Sequence, residues 1–284
     1  KGKTLLTDSD YPFLERYLDV TKSNLFFARG VIVVEGPAEN ILVPTLADLL
    51  GRNLETYGVS LIDVKGTGLG RFARILQRSD PETDGEIGIP VSCITDMDVM
   101  PDCAPWLVGI LKEEEPFPPL QGSKRKWRAK RDFPGNGLAQ RRLVIEGRAN
   151  GQRVRTFVAN EWTLEYDLAF SGLSEYVWIA AYLAENDDAL LVAPDTFDAK
   201  VTQAKNEYSD IAGSVPSNEQ LCSKVYARFA KDGVSKAISA QYLASILADA
   251  VGKDDLTPAR LRALLPPYLL AAIEHVTAPL EGAV

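Results

Sequence analysis

Three short apolar runs, separated by segments with helical spacing, constrain the fold of this chain more than any other feature. The runs are VIVVE at 31–35, VSLIDV at 59–64 and PVSCIT at 90–95. Short runs rich in β-branched residues are typical of buried strands. The segment after the first run has apolar residues at helical spacing: Ile41, Leu42, Leu46, Leu49 and Leu50. Strands joined by helical crossovers predict an α/β fold, a parallel sheet flanked by helices.

Beyond the strands, the pattern becomes irregular and then helical. The segment near 102–140 is rich in Pro, Gly and charge, which is typical of a long functional or disordered insertion. In RANG, Asn150-Gly151 is a strong hairpin signal, so we expect a β-hairpin joining LVIEG to QRVRTFV. Four segments with apolar residues three to four apart predict an additional, mostly helical domain at 169–284: 171–185, 197–209, 217–231 and 234–251.

The cysteine and histidine content excludes several classes of catalytic site. The three cysteines form no CxxC pair, and His275 is the only histidine. Cysteine zinc sites, disulfide frameworks, Ser-His-Asp triads and Cys-His proteases are therefore not supported. The chemistry is left to carboxylates, lysines and hydroxyl groups.

The hydropathy of the chain and its first residues indicate where in the cell the protein is found. No apolar run is long enough to span a bilayer, and the opening KGKTLLTDSD lacks the features of a signal peptide. We therefore expect a cytoplasmic protein with no membrane partner. Because the first residue is Lys, we expect a fragment of a longer polypeptide, with residues 1–24 as a lead-in to the first domain.

The net charge of −8 hides a strongly basic stretch. Between Gln121 and Arg155 there are eleven Lys and Arg against Asp132 and Glu146, a local charge of +9 that leaves −17 for the rest. Such segregation is typical of a surface that binds phosphates, although a solvated loop is the alternative. The residues predicted to bind nucleic-acid phosphates are Lys124, Arg125, Lys126, Arg128, Lys130 and Arg131.

Acidic residues follow the predicted strands. Glu35 closes the first run, Glu39 lies one helical turn later, and Asp96 and Asp98 follow the third; Glu165 comes after the last strand. In parallel sheets, functional groups gather where strands end. Crowded carboxylates without His or Cys favour Mg²⁺, Mn²⁺ or Ca²⁺, and two such ions could clamp a phosphodiester. The alternative is that each acid is a surface residue or a helix N-terminal charge.

At these motifs the sequence resembles a known family. VIVVEGPAEN, VSLIDVKGTG and PVSCITDMD resemble the Toprim fold of primases, topoisomerases and OLD (overcoming lysogenization defect) nucleases. The ExxxE pattern of Glu35 and Glu39, with TLEYDL at 163–168, is similar to the OLD family in particular, and specifically to its C-terminal Toprim region. The resemblance covers about residues 25–168, which it implies are a Toprim catalytic domain.

The resemblance implies a metal-dependent DNA endonuclease with two Mg²⁺ or Mn²⁺ ions per site and Ca²⁺ as a substitute. It implies metal ligation by Glu35, Glu39, Asp96, Asp98 and Glu165, assisted by Thr163. Glu35 and Asp96 are then catalytic. The resemblance implies an ATPase domain N-terminal to this fragment and oligomerisation through that domain.

The resemblance also implies a lysine from the last third of the chain that stabilises the transition state. Lys236, at the start of a predicted helix capped by Ser235, is the candidate, with Lys231 in reserve. We expect part of the helical domain to return to the active site for this purpose. A surface lysine is the alternative.

Two other functions remain open. A phosphatase of the haloacid-dehalogenase kind also uses a strand-end DxD, but it needs Thr or Val where this chain has Met100, and its DxD follows the first strand. A Toprim-like DNA-binding module without catalysis is the third possibility. The full set of repelling carboxylates disfavours that module.

Overall fold

The computed structural model describes residues 2–17, 22–66, 68–120, 125–230 and 234–278. The chain divides into two compact units that are not contiguous in sequence. The sheet unit comprises Lys1–Thr95, Arg141–Val158 and Pro267–Val284, and the helical unit comprises Asp96–Gln140 and Ala159–Pro266. The predicted domain bounds at 24/25 and 168/169 stay a prediction.

A parallel sheet forms the centre of the sheet unit, as predicted, and it has four strands. Its strands are β1 (Gly30–Val34), β2 (Val59–Asp63), β3 (Val91–Thr95) and β4 (Val154–Val158), in the order β2-β1-β3-β4. All three pairings are parallel, with Val33 opposite Cys93 and Cys93 opposite Thr156. The carboxyl ends of all four strands therefore meet at one edge of the sheet.

The helices of the sheet unit cover the two faces of the sheet. They are α1 (Asp10–Tyr17), α2 (Pro37–Leu49), α3 (Leu69–Ile75), α4 (Pro81–Asp84) and α14 (Pro267–Val276). Val31, Val33, Val91, Cys93 and Val154 share a buried cluster with residues of α3. On the other face, the hydroxyl of Ser92 donates to the carbonyl of Ala272 in α14, at 2.7 Å. A 3₁₀ turn at Lys22–Phe27 precedes β1.

The predicted hairpin around Asn150-Gly151 is wrong. Residues 143–146 of LVIEG lie within helix α6 (Gly137–Glu146), and β4 pairs in parallel with β3. The Asn150 side chain accepts a hydrogen bond from the backbone of Thr156, so this turn joins a helix to a parallel strand. The sequence position of β4 was predicted correctly, but its pairing with LVIEG was not.

The helical unit is formed mainly by helices that coincide with the predicted segments. It contains α5 (Ala104–Leu107), α7 (Leu164–Leu168), α8 (Ser174–Glu185), α9 (Asp187–Val192), α10 (Phe197–Ser214), α11 (Asn218–Tyr226), α12 (Lys236–Gly252) and α13 (Pro258–Leu264). A π-helical turn at Ala169–Leu173 joins α7 to α8, and α8 packs against α10 and α12. Short 3₁₀ turns lie at Lys130–Asp132 and Pro194–Thr196. Over the described residues, no helix has the length and apolar character needed to cross a bilayer.

Candidate functional site

The carboxyl edge of the sheet carries Glu35 and Thr95. Glu35 follows β1 directly, and its Oε2 accepts a hydrogen bond from the Thr95 hydroxyl, at 2.9 Å. Thr95 is the last residue of β3, the strand that pairs with β1. Glu39 lies in the first turn of α2 and is partly exposed. Glu35 therefore projects where the sequence predicts, at the end of a central strand.

Asp96 and Asp98 begin the helical unit, immediately after β3. Oδ1 of Asp96 accepts a hydrogen bond from the backbone nitrogen of Leu164, at 3.1 Å. Asp98 is exposed and has a left-handed backbone, with φ of 55°. The backbone nitrogens of both Met97 and Asp98 donate to the carbonyl of Trp162. The DxD motif itself is thus attached to the turn before α7.

Thr163 and Glu165 lie at the start of α7. Thr163 is the N-cap residue, and its hydroxyl accepts a hydrogen bond from the backbone nitrogen of Tyr166. Asp96 and Thr163 together satisfy two of the backbone N–H groups that a helix start leaves unpaired. Glu165 is buried in the first turn. The structure therefore brings Asp96, Thr163 and Glu165 to one place within the helical unit.

Lys236 reaches Glu165 from 71 residues away in sequence. Its Nζ lies 2.9 Å from Oε2 of Glu165. Lys236 is the first residue of α12, and the Ser235 hydroxyl caps that helix as predicted, by accepting from the backbone of Ile238. The reserve candidate, Lys231, lies outside the described residues.

The surroundings of Lys236 keep its ammonium charged. Burial alone lowers the pKa of Lys236, but the nearby Glu165, Tyr226 and Asp96 raise it, and the net shift is upward from the ordinary value. The ammonium also lies 5.5 Å from the centre of the Tyr226 ring. A permanent positive charge therefore stands beside the carboxylates of the helical unit.

Tyr226 is a residue of this site that sequence reasoning missed. Its ring packs against Trp162 with centroids 4.2 Å apart. Burial raises the pKa of Tyr226, as do Glu165 and Asp96, whereas Lys236 and a hydrogen bond with Thr163 oppose the shift. In sequence, Tyr226 is one aromatic residue in an apolar-periodic helix, which does not distinguish it from a core residue.

Neighbouring Asp167 fixes the turn that precedes the site. Its carboxylate accepts hydrogen bonds from the backbone nitrogens of Asn160, Glu161 and Trp162. Burial raises the pKa of Asp167 to about 6, with the three N–H donors opposing. Asp167 is thus a structural acid, and the functional candidate in TLEYDL is Glu165.

The acidic residues fit hard cations by chemistry, because oxygen is the only donor they offer. Across the described ranges, no group of three or more His, Cys, Asp and Glu side chains is gathered closely enough to hold a metal ion by itself. Mg²⁺ commonly binds through one or two carboxylates and keeps several waters, so it needs no cage built wholly of protein. The residues present fit such an ion.

The basic segment is less uniform than its sequence indicates. The Arg125 side chain is only 2% exposed; it pairs with Asp132 and lies over the rings of Phe117 and Trp127, at 4.9 and 4.3 Å. Lys130 makes two ion pairs of 2.7 Å, with glutamates of the helical unit. Both residues therefore stabilise the fold of this segment, and their contact with DNA stays a prediction.

The remaining basic residues differ in exposure. Arg131 lies 3.9 Å above the Phe117 ring and pairs with Asp102. Lys126 and Arg128 are exposed. Lys124 lies outside the described residues. Lys126, Arg128 and Arg131 are thus the exposed basic side chains among the described residues of this segment.

The chain is similar to one known domain family and to solved structures. Residues 26–98 match the model of the TOPRIM domain of proteins like the overcoming lysogenization defect protein. No curated protein matches the chain. This matched segment contains β1, β2 and β3 and four of the predicted ligands: Glu35, Glu39, Asp96 and Asp98.

The solved structures similar to this chain include C-terminal regions of two OLD proteins. The protein from Xanthomonas campestris pv. campestris is 22% identical, with 89% of this chain and 94% of that chain covered and a TM-score of 0.45. The one from Burkholderia pseudomallei is 23% identical, with 88% and 98% covered and a TM-score of 0.44.

Proposed function

Since residues 26–98 are an OLD-like Toprim domain, we propose that this chain is a metal-dependent endonuclease that hydrolyses phosphodiester bonds of DNA. One observation carries the proposal. The matched segment carries carboxylates directly after β1 and directly after β3, and these two strands are parallel neighbours. Functional groups of parallel sheets gather at such strand ends.

The proposed metal ligands are the five acids Glu35, Glu39, Asp96, Asp98 and Glu165, with Thr163 assisting. Two Mg²⁺ or Mn²⁺ ions, when bound, would lower the pKa of an attacking water and stabilise charge on the leaving oxygen. Ca²⁺ has the same preference for oxygen ligands, so we expect it to bind without supporting turnover. Hydrogen bonds from Thr95 to Glu35 and from Leu164 to Asp96 hold two of the carboxylates in position.

Lys236 is proposed to neutralise negative charge on the scissile phosphate. Its ion pair with Glu165 holds the ammonium in place before substrate binds. A cation positioned in advance costs no reorganisation when charge develops in the transition state. Tyr226, beside both residues, is proposed as a positioning residue that restricts the lysine side chain.

DNA binding is proposed to involve the exposed Lys126 and Arg128, with Arg131 and Lys124. Their charges suit backbone phosphates more than base recognition, because Lys126 and Arg128 lie outside the helices and strands of the described chain. We also propose that an ATPase domain precedes this chain in the full protein and that the protein oligomerises through that domain.

The test is conversion of supercoiled plasmid to the nicked form with Mg²⁺, Mn²⁺, Ca²⁺ or EDTA, in parallel with hydrolysis of p-nitrophenyl phosphate. Nicking with Mg²⁺ or Mn²⁺ alone supports the proposal. Phosphomonoester hydrolysis without nicking would point to the phosphatase instead. Plasmid binding without either reaction would leave a DNA-binding module.

A further inference from the structure

A cleft of about 430 Å³ opens in the sheet unit, and most of its lining belongs to none of the residues assigned above. Glycines, arginines and threonines form most of its walls, together with Leu69 and Ile145, and Glu35 is the one acid among the described residues that line it. The lining residues used below are Gly70, Arg71, Arg74, Thr95, Arg148 and Thr156. The composition of these walls is that of an oxyanion site.

Strand alternation explains the two threonines. Side chains two apart share a face of a sheet, so Thr156 follows Val154 onto the face that α3 covers. Thr95 follows Cys93 onto the same face of β3. The core of this face is apolar, and the two hydroxyl groups come from the last residue of β3 and the central residue of β4.

Thr156 has an unused hydroxyl. The residue is 7% exposed, and among the described residues its Oγ1 has no hydrogen-bond partner. Thr95, by contrast, donates to Glu35. A buried hydroxyl without a partner is costly, and such groups in native proteins call for an explanation. A ligand oxygen in the cleft supplies one.

Two of the arginines are anchored by an acid. Asp10 is 1% exposed; it pairs with Arg71 at 3.2 Å and with Arg74 at 2.8 Å. These bonds fix the guanidinium groups. Burial alone would raise the pKa of Asp10, but Arg74 and the hydrogen bonds from Thr7 hold it down at about 2. Asp10 offsets only one of the two positive charges.

Arg148 is the arginine of the cleft that makes no ion pair within the described part of the chain. Gly70 allows its backbone to approach α3, because a Cβ at Gly70 would lie 3.0 Å from the Arg148 carbonyl oxygen. The position of Arg148 is thus fixed by backbone packing, while its guanidinium is exposed and available.

We propose that this cleft binds a phosphate group, with the Arg148 guanidinium and the Thr156 hydroxyl as its principal donors and Arg71 and Arg74 providing fixed charge. Both a DNA backbone phosphate and a free phosphate compound offer this chemistry. The inference that the ligand is DNA rests on the proposed function. The inference that the cleft binds an oxyanion is independent of that function. Because Glu35 borders the cleft, its charge opposes the ligand, and a divalent cation that screens it should raise the affinity.

The test measures affinity with Ca²⁺ present, so that turnover does not enter. Inorganic pyrophosphate is titrated by calorimetry and a short labelled DNA duplex by fluorescence anisotropy, for wild type, Arg148→Gln, Thr156→Val and Arg155→Gln. Arg155 is the matched control, because it neighbours Thr156 on β4 but projects from the opposite face. Arg148→Gln should weaken binding about tenfold, since a charge-assisted bond is lost. Arg155→Gln should leave pyrophosphate binding unchanged.

Thr156→Val separates a ligand role from a structural one. It should weaken binding several-fold while the melting temperature holds or rises, because a buried unpaired hydroxyl is removed. If affinity and melting temperature both fall, the Thr156 hydroxyl stabilises the fold, and its proposed role in ligand binding is overturned.

The two probes distinguish the source of the phosphate. If Arg148→Gln weakens the duplex alone, the ligand is a DNA phosphate; if it weakens pyrophosphate alone, the ligand is a free phosphate compound; a loss of both supports the shared chemistry. Unchanged affinity for both probes overturns the site. Failure of plasmid nicking by the wild type, with the Arg148 effect present, would reject the nuclease and leave the phosphate site standing.

Discussion

Glu35 in the sheet unit and Glu165 in the helical unit are both proposed metal ligands, yet they are held in different ways. Glu35 follows a central strand and has a neutral partner, the Thr95 hydroxyl. Glu165 is paired with the charged Lys236, which is 71 residues away. The position of Glu35 thus follows from strand topology, whereas the position of Glu165 depends on a long-range ion pair. Changes in the two regions should therefore have different consequences.

The largest effect is expected from Asp96→Asn. Asparagine keeps an oxygen that can accept the Leu164 N–H but loses the charge, so the start of α7 should remain intact. We expect plasmid cleavage to fall by about a thousandfold or more, the order expected when a transition-state electrostatic contact is lost. Nicking rate and melting temperature are both measured.

Asp63→Asn is the matched control, because Asp63 also ends a strand but has no proposed role in the reaction. It should cleave at the wild-type rate. If Asp96→Asn retains wild-type nicking with Mn²⁺, the assignment of the strand-end acids is wrong.

The second effect concerns the cation of the helical unit. Lys236→Gln should lower the single-turnover cleavage rate by about a hundredfold, because a positioned charge is removed, while a side chain able to donate to Glu165 remains. DNA affinity should change little. Rapid-quench measurement at saturating enzyme gives the rate.

Lys224→Gln, a lysine of α11 that donates to Ser214, serves as the control. Equal rates for both variants would exclude Lys236 from the reaction and transfer the prediction to Lys231.

A third effect, on stability, tests the buried ion pair of Arg125 and Asp132 in the helical unit. Arg125→Ala leaves Asp132 without its partner in a site where both side chains are almost fully buried. We expect the free energy of unfolding to fall by about 3 kcal/mol. Lys126→Ala, one residue further and exposed, should change it by less than about 0.5 kcal/mol. Urea denaturation followed by circular dichroism compares the two; similar midpoints would show that Arg125 is not structural.

The smallest effect is expected from Tyr226→Phe. The ring contact with Trp162 is kept, and only the hydroxyl near Thr163 is lost. The single-turnover rate should fall by about tenfold, and the melting temperature should hardly move. A large loss of stability with an unchanged rate would show instead that Tyr226 is a core residue.

The sheet and its acids could be predicted from sequence because the signals are local. The three β-branched runs define three of the strands. Glu35 and Asp96 directly follow two of them, and Asp98 lies two residues after Asp96. The error at Asn150-Gly151 has a local cause as well, since a turn signal does not specify the direction of the next strand. Most of LVIEG is helical because the residues from Gly137 onward extend it into a helix that ends at Glu146.

The contacts of the basic segment and of Tyr226 could not be predicted, because they depend on tertiary structure. Nothing in KRKWRAKR distinguishes the buried Arg125 from the exposed Arg128. The aromatic partners of Arg125 include Phe117, whose proximity becomes evident only in the folded chain. Lys236 was predicted through a family resemblance and the cap at Ser235, and its pairing with Glu165 is a finding of the structure.

The central claim is that acids of the Toprim segment bind divalent metal, and anomalous scattering from crystals soaked in Mn²⁺ tests it most directly. We predict anomalous peaks at about 2.2 Å from carboxylate oxygens of Glu35 and Asp96, and weaker or absent peaks in Asp96→Asn crystals. Peaks confined to other carboxylates, with none at Glu35 or Asp96, would contradict the account.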